Sequence, residues 1–438
     1  MAQVRCDCYN KSASRKGPQR SERMDSLPGR LQSWIHFINR SENQNMLNFE
    51  FYSPTRLVFG KGTLDQVGAQ IAPLAKKVLV HYGSERVVKD GLLKRVTDSL
   101  TENGVSYVTL GGVIPNPDVE LVREGIKLAK AENVELVLCV GGGSVIDSGK
   151  GIALGVKNPE HDIWDVYEKQ LQTTGALPVA SVLTFPAAGS EASNSTVLSN
   201  YKTQQKCGYN REWNRPVLAV IDPTLFETIP KFQIASGVAD MMSHIFERYF
   251  SSTEHTELSD ALSEATLRTL ITFGEKVVKN PSDYDSWCQV ALCGTIAHNN
   301  MLGVGREQDW ACHKLDHELT ARFGVTHGAG LAILTPAWMR YVWRVNPKRF
   351  YDFAVRIMGQ EDQPKAVAAT IESGISALDT FYSRLGLPSR LIKLGVDPAQ
   401  IADMARVVTH LPDGTDRPVG GLKKIYEADA KAIYEKAI

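Results

Sequence analysis

Five residues between positions 240 and 327 have the types and spacings that hold a metal. Asp240 and His244 stand four apart in Ser236-Gly-Val-Ala-Asp240-Met-Met-Ser-His244, where Val238, Met241, Ile245 and Tyr249 recur at helical spacing. Residues i and i+4 share a helix face, so the carboxylate and the imidazole reach toward one point. His313 and His317 are again four apart, and His327 follows after a turn at Gly324. One carboxylate with several imidazoles suits Zn²⁺ or Fe²⁺, whereas Mg²⁺ or Ca²⁺ favours an all-oxygen shell. The His-Glu-x-x-His pattern of zinc proteases is excluded, because Lys314 follows His313. By spacing alone, His313 and His317 are the more natural pair, with His327 a third donor close by.

Positioning these groups falls to two kinds of chain. From Phe49 to Pro230, apolar β-rich runs alternate with helical patterns, the mark of an α/β layer fold. Strands are predicted at 78–82, 106–110, 134–140, 179–184 and 217–221, with amphipathic helices at 91–102 and 119–131. After Pro230 strand signals vanish, and the patterns become helical with breaks at Asn280-Pro281, Asn346-Pro347 and Leu387-Pro388. Domains are therefore expected at 46–230 (α/β) and 231–438 (all-α).

Three glycine-containing turns follow predicted strands: His81-Tyr-Gly83-Ser84-Glu, Gly141-Gly142-Gly143-Ser144-Val-Ile-Asp147, and Thr184-Phe-Pro-Ala-Ala-Gly189-Ser-Glu191. Glycines let a phosphate approach the backbone, and a helix start offers free N–H groups and a positive dipole end. The middle turn is neither a Walker A loop (Ser144 and Gly151 stand where Gly and Ser/Thr belong) nor a Gly-x-Gly-x-x-Gly fingerprint, which fails at Ile146. Turns after strands of one sheet line up on one edge, which favours a nucleotide cleft.

Composition narrows the partners. Lys+Arg and Asp+Glu are both 49 in 438 residues, which argues against nucleic acid as a partner. No apolar run approaches the ~20 residues of a membrane helix. The seven cysteines are odd in number and lack Cys-x-x-Cys pairs, as expected in a reducing cytoplasm. Residues 1–45 carry eight Lys/Arg, four Asp/Glu and one short apolar cluster, and are expected to be a disordered, dispensable extension.

Taken in order, Phe59-Gly-Lys-Gly62, Pro115-Asn-Pro117, Gly141 to Asp147, Thr184 to Glu191, Asp240-x-x-x-His244, Gln308-Asp-Trp-Ala-Cys-His313 and His327-Gly328 make the chain resemble the iron-containing, group III metal-dependent alcohol dehydrogenases from about Met46 to Ile438. Within them it is similar to the NADP-dependent butanol dehydrogenase and aldehyde reductase branch. The resemblance implies a Rossmann-like α/β nucleotide-binding domain followed by an all-α metal-binding domain, the dehydroquinate synthase-like architecture, and a homodimer. It implies Asp240, His244, His313 and His327 as ligands of one Fe²⁺ or Zn²⁺, with His317 a catalytic-pocket residue beside nicotinamide and substrate. It places Gly142, Gly143, Ser144 and Asp147 at the pyrophosphate and nicotinamide ribose, and Asn116, Thr184, Ser193 and Lys206 at further cofactor contacts. Ser193 departs from the Asn of close relatives. The implied reaction is hydride transfer between NADP(H) and a small alcohol or aldehyde. Sister activities on the same architecture are glycerol dehydrogenase and a dehydroquinate synthase-like lyase; the lyase would need several basic residues near the metal segments.

Cofactor choice turns on the first glycine turn. An acidic side chain after the early strand would bind the ribose 2′-OH and repel a 2′-phosphate. Here that position is Ser84, preceded by Gly83, with Arg86 and Lys89 close by, so NADP(H) is expected over NAD(H).

Overall fold

A computed structural model describes residues 45–438 apart from Ser84 and Pro412. The expectation for residues 1–44 therefore lies outside the described residues. Among the described residues eight strands form: β1 (Arg56–Phe59), β2 (Lys77–Tyr82), β3 (Ser106–Leu110), β4 (Leu136–Gly142), β5 (Val179–Phe185), β6 (Ser195–Asn200), β7 (Gln205–Asn210) and β8 (Leu218–Ile221). Six of them make a parallel sheet in the order β1-β8-β5-β4-β2-β3. The longer helices among them are α1 (Leu92–Glu102), α2 (Val119–Ala131) and α3 (Gly143–Lys157).

The central strands are apolar at nearly every position because both faces of the sheet are covered. Val78, Val80, Leu136, Leu138, Val140, Ala180 and Val182 turn to one side, where they meet Leu92, Val96 and Leu100 of α1. Leu79, Val137, Cys139, Val179 and Leu183 turn to the other, into a core shared with α2, α3 and the helical half of the chain. Asp118 caps α2 by accepting from Glu120 N at 3.1 Å. Gly149 lies against Cys139, where a Cβ would stand 2.2 Å from Sγ, so α3 presses directly on β4.

After Pro230 the described chain is helical: α4 (Lys231–Tyr249), α5 (Glu257–Lys279), α6 (Tyr284–His298), α7 (Ala311–Phe323), α8 (His327–Val342), α9 (Val367–Arg384), α10 (Ile401–Thr409) and α11 (Glu427–Ala437). Every residue of α4 from Ile234 to Tyr249 is buried, so this helix is the axis around which the others pack. None of the described helices is long and apolar enough to cross a membrane.

The five predicted strands form, each within two residues of the expected ends. β1 and the antiparallel hairpin β6–β7 were not expected. The hairpin sequence Ser-Thr-Val-Leu-Ser-Asn, then Gln-Lys-Cys-Gly-Tyr-Asn, sends only Leu198, Cys207 and Tyr209 into the core and is otherwise polar, so it carries little of the alternation that marks a half-buried strand. Its turn closes with Gln204 in the left-handed region, φ 53°.

Candidate metal and nucleotide site

The strand order reverses at β2, since β3 lies to one side of it and β4 to the other. Ligands of open α/β sheets bind outside the carboxyl ends of strands at such a switch point. There β4 runs straight into α3, with Gly142 as its extended N-cap (φ −89°, ψ −166°). A Cβ on Gly142 would stand 3.1 Å from Phe185 Cβ, and one on Gly143 3.3 Å from Ala188 Cβ, so side chains would crowd β5 and the loop after it.

A cavity of ≈ 800 Å³ opens beside this helix start, and residues of both halves of the chain line it. Among them are Asn116, Gly143, Ser144, Asp147, Ser193 and Lys206 on one side and Asp240, His244, His313, His317 and His327 on the other. Gly83, Gly142 and Thr184 lie outside this lining, and Ser84 lies outside the described residues.

The metal candidates converge. The Nε2 atoms of His244, His313 and His327 lie 3.4, 3.8 and 3.9 Å from one atom, Asp240 Oδ1. The donor atoms of Asp240, His313 and His327 all fall within 4.8 Å of one another. Ligands at metal-bond length around a tetrahedral centre stand about 3.4 Å apart. Asp240 Oδ1 and His313 Nε2 are buried without a hydrogen-bond partner, a costly arrangement unless something else satisfies them. A nitrogen-rich donor set with such orphaned atoms fits Fe²⁺ or Zn²⁺. His317 sits apart, its ring centroid 6.4 Å from that of His327.

Two carboxylates absent from the sequence reading orient this group. Glu247 meets His313 Nδ1 and accepts from the His313 backbone N–H at 3.0 Å; Asp316 accepts a hydrogen bond from His327 Nδ1. Carboxylate–imidazole pairs of this kind fix the tautomer and leave Nε2 free for metal. Their signal was present: Glu247 is three residues after His244, and Asp316 three after His313. Burial opposes protonation of His313, but the carboxylates of Glu247, Asp240 and Asp316 together outweigh it and the net shift is upward. His244 is held well below its ordinary value by burial and by His298 beside it, their rings 4.1 Å apart.

Glycines let the helices come this close. A Cβ on Gly328 would lie 1.9 Å from Ser236 O, so the start of α8, with His327, rests on the backbone of α4. A Cβ on Gly330 would lie 1.9 Å from Asp316 Oδ1.

On the nucleotide side, Asp147 accepts from Ser190 Oγ (2.5 Å) and Val197 N (3.0 Å), and burial raises its pKa. Lys206 Nζ donates to Asn116 Oδ1 at 3.0 Å; burial lowers its pKa against the pull of Asp316, Asp240 and Asp147. Ser193 Oγ is turned back to accept from Ser195 N at 2.9 Å. Lys150, which the sequence reading passed over, is fully buried one turn after Asp147. Its Nζ donates to the carbonyls of Ser190 (2.7 Å), Ser193 (3.0 Å) and Ser195 (2.7 Å), pinning the loop that leads into β6, and burial pushes it down to about 8. Glu191 in that loop accepts from Thr295 Oγ1 of α6 at 2.6 Å, tying sheet to helices.

Arg248, His298 and Trp310 also line the cavity unforeseen. The Arg248 guanidinium lies 4.6 Å from the Trp310 ring centre and donates to His298 Nδ1 at 3.1 Å.

Comparison with known proteins places the chain. Residues 54–223 match the family model described as iron-containing alcohol dehydrogenase, and residues 233–438 the C-terminal model of the same family. The chain is 37% identical over 393 residues to NADH-dependent butanol dehydrogenase A of Clostridium acetobutylicum, covering 90% of this chain and 100% of the relative. It is 35% identical to the NADPH-dependent aldehyde reductase YqhD of Escherichia coli, covering 87% and 100%. The crystal structure of NADH-dependent butanol dehydrogenase A of Thermotoga maritima superposes with a TM-score of 0.85 at 37% identity, covering 90% and 100%.

Proposed function

The chain belongs to the iron-containing alcohol dehydrogenase family, and from that premise we propose that it passes hydride between NADP(H) and short-to-medium primary alcohols or aldehydes at the Asp240 centre. It is an oxidoreductase that works with a divalent metal and a nicotinamide cofactor. The observation that carries the finer reading is the convergence of three imidazole Nε2 atoms on Asp240 Oδ1 in the wall of the cavity that α3 opens into. In this reading residues 46–230 hold the cofactor and residues 231–438 the metal.

Asp240, His244, His313 and His327 hold the metal, and Glu247 and Asp316 hold two of its imidazoles in register. Iron(II) or zinc(II) bound there supplies a Lewis acid for the substrate oxygen. Gly143 and Ser144, with Gly142 behind them as the N-cap of α3, offer the free N–H groups of the helix start to the pyrophosphate, and Asp147 stands for the nicotinamide ribose; Asn116, Ser193 and Lys206 in the cavity wall, and Thr184 outside it, are the further candidate contacts. Phe185 and Trp310 give the cavity apolar walls that align a short alkyl chain. His317, its pKa held well below the ordinary value by burial and by Lys206, is a neutral imidazole placed to relay the proton.

This role predicts that His317→Ala keeps its metal and loses ~10²–10⁴-fold in kcat, the usual span for a positioned acid–base group. Metal content and kcat measured on one preparation decide it. Loss of metal in that variant restores His317 as a ligand.

For the cofactor, the two kinds of relative differ in their printed names, NADH for the butanol dehydrogenases and NADPH for YqhD. The preference for NADPH rests on the small hydroxyl of Ser84, next to Gly83, where an acidic side chain would select NADH. Arg86 opens the short helix Arg86–Lys89 that follows β2, its Nε 3.1 Å from Asp90. An assay of C2–C6 aldehydes with NADPH and NADH after metal reconstitution should favour NADPH by ~10-fold or more, about 1.4 kcal/mol of differential binding. Ser84→Asp should shift the ratio toward NADH. Equal kcat/KM for both cofactors, or an unmoved ratio in the variant, removes Ser84 from the 2′ position. The reading also takes the enzyme to be a cytoplasmic homodimer; β1 at the sheet edge, with Phe49, Tyr52, Leu57 and Phe59 exposed around it, is the surface that a second copy would cover.

A further inference from the structure

Arg248 is 1% exposed, and its terminal N–H groups are committed to neighbours that line the cavity with it. They donate to the His244 carbonyl (2.7 Å), to His298 Nδ1 (3.1 Å) and, more loosely, to Asn300 Oδ1 (3.4 Å). A guanidinium has no acceptor, so the proton of His298 sits on Nε2. Trp310 Nε1, which is also a donor only, gives its hydrogen bond to Gln308 Oε1 at 3.1 Å. Each of three cavity side chains, His298, Asn300 and Gln308, thus has an acceptor atom occupied by a group that can only donate.

What these side chains have left is donors. Among the described residues His298 Nε2, Asn300 Nδ2 and Gln308 Nε2 have no hydrogen-bond partner, and none of the three atoms is sealed off from solvent. All three residues line the cavity. His298 is only 9% exposed, its ring packed on His244 and Trp310 with ring centres 4.1 and 5.8 Å away. It is not one of the donors gathered on Asp240, since neither of its nitrogens comes within 4.0 Å of a carboxylate oxygen among the described residues. It adjoins the metal group from outside. Asn300 (φ 77°) and Trp310 (φ 63°) hold a left-handed backbone that such residues seldom take, and outliers of this kind gather at ligand sites. An N–H in a nearly closed wall is costly until an acceptor meets it.

We propose that the preferred aldehyde carries a second, neutral carbonyl oxygen a few carbons from the reacting one, and that His298 Nε2–H, flanked by the amides of Asn300 and Gln308, receives it. The inference rests on the dehydrogenase reading above and names its substrate class. A carbonyl oxygen accepts and has nothing to donate, which matches a wall that only donates; a hydroxyl would be left with its own proton unmet. A carboxylate fits less well, because the groups that open on the cavity are uncharged and the Arg248 charge lies behind them with its bonds already made. The chemistry is unchanged: hydride passes from the nicotinamide to the reacting carbonyl carbon, a proton goes to its oxygen, and the second carbonyl only positions the chain.

The test compares 4-oxopentanal with pentanal, of equal chain length, and with 4-oxobutanoate, in the metal-loaded enzyme and in His298→Leu and His298→Gln. Wild type should favour 4-oxopentanal over pentanal by about tenfold in kcat/KM, the upper end of what one hydrogen bond contributes. It should also favour 4-oxopentanal over 4-oxobutanoate. His298→Leu should abolish the preference over pentanal, chiefly through KM for 4-oxopentanal, while metal content holds. His298→Gln, whose amide can set an N–H where Nε2–H stood, should keep most of it. Turnover of pentanal without the preference, or a preference for 4-oxobutanoate over 4-oxopentanal, overturns the carbonyl inference alone. So does an unchanged ratio in His298→Leu, or an equal loss in both variants, which would make His298 a packing partner of His244 only. No turnover of any of the three aldehydes with either nicotinamide overturns it together with the dehydrogenase reading.

Discussion

Replacing His313 with alanine is expected to remove both the bound metal and the activity. His313 offers a buried Nε2 with no other partner, and its removal also takes the ring from Glu247, leaving that carboxylate only the backbone N–H of residue 313. A buried carboxylate that loses its cationic or imidazole partner is destabilising, by up to about 3–5 kcal/mol when nothing else satisfies it, and the surviving backbone bond to Glu247 moderates that cost. The site thus loses one donor of a chelate and gains an unpaired charge beside the remaining ones. The loss of metal affinity should exceed the ~10–100-fold that follows removal of an outer partner. Asp316→Asn supplies that milder comparison, since it weakens the hold on His327 and leaves every proposed ligand in place. His327→Ala should behave as His313→Ala does. Metal analysis of the purified variants, with circular dichroism to confirm folding, distinguishes the outcomes. Full metal occupancy in His313→Ala would falsify its assignment as a ligand.

The second large effect is expected from a single methyl group that touches neither metal nor substrate. Gly328→Ala places a Cβ 1.9 Å from Ser236 O, a contact that only movement of backbone relieves. Helix α8 begins at His327, and α4 carries Asp240 one turn after Ser236, so separating the helices by roughly 1 Å pulls the two donors apart. A misplacement of that size costs on the order of 10²-fold in rate. Overpacking of this kind destabilises by about 1–3 kcal/mol, too little to unfold a chain with this much buried core. The variant should therefore remain folded, retain cofactor binding at α3, and lose metal affinity and kcat together. Thermal melts, cofactor fluorescence and metal content separate these effects. Wild-type kcat with full metal would show that α8 has slack that the contact with Ser236 conceals.

Much of this protein was legible in the order of its residues. Doubly covered strands must be apolar at nearly every position, so β2, β4, β5 and β8 announced themselves, and glycine turns after three of the predicted strands pointed to one edge of one sheet. Asp240 and His244 share a face wherever α4 lies, because helical periodicity is local. The resemblance carried in seven short motifs named His327 as a ligand in place of His317, which spacing could not do.

What remained hidden depends on neighbours distant in the chain. The hairpin β6–β7 shows little apolar alternation, because beyond the buried Leu198 and Tyr209 it is held by polar bonds to Lys150 and Asp147. Whether His317 or His327 turns toward Asp240 is decided by Asp316 gripping His327 and by the glycine contact of α8 with α4, neither of which has a local signature. Periodicity fixes which face a side chain takes along its own element, but which faces meet is set by the close approach of backbones, and here glycines at 149, 328 and 330 decide it.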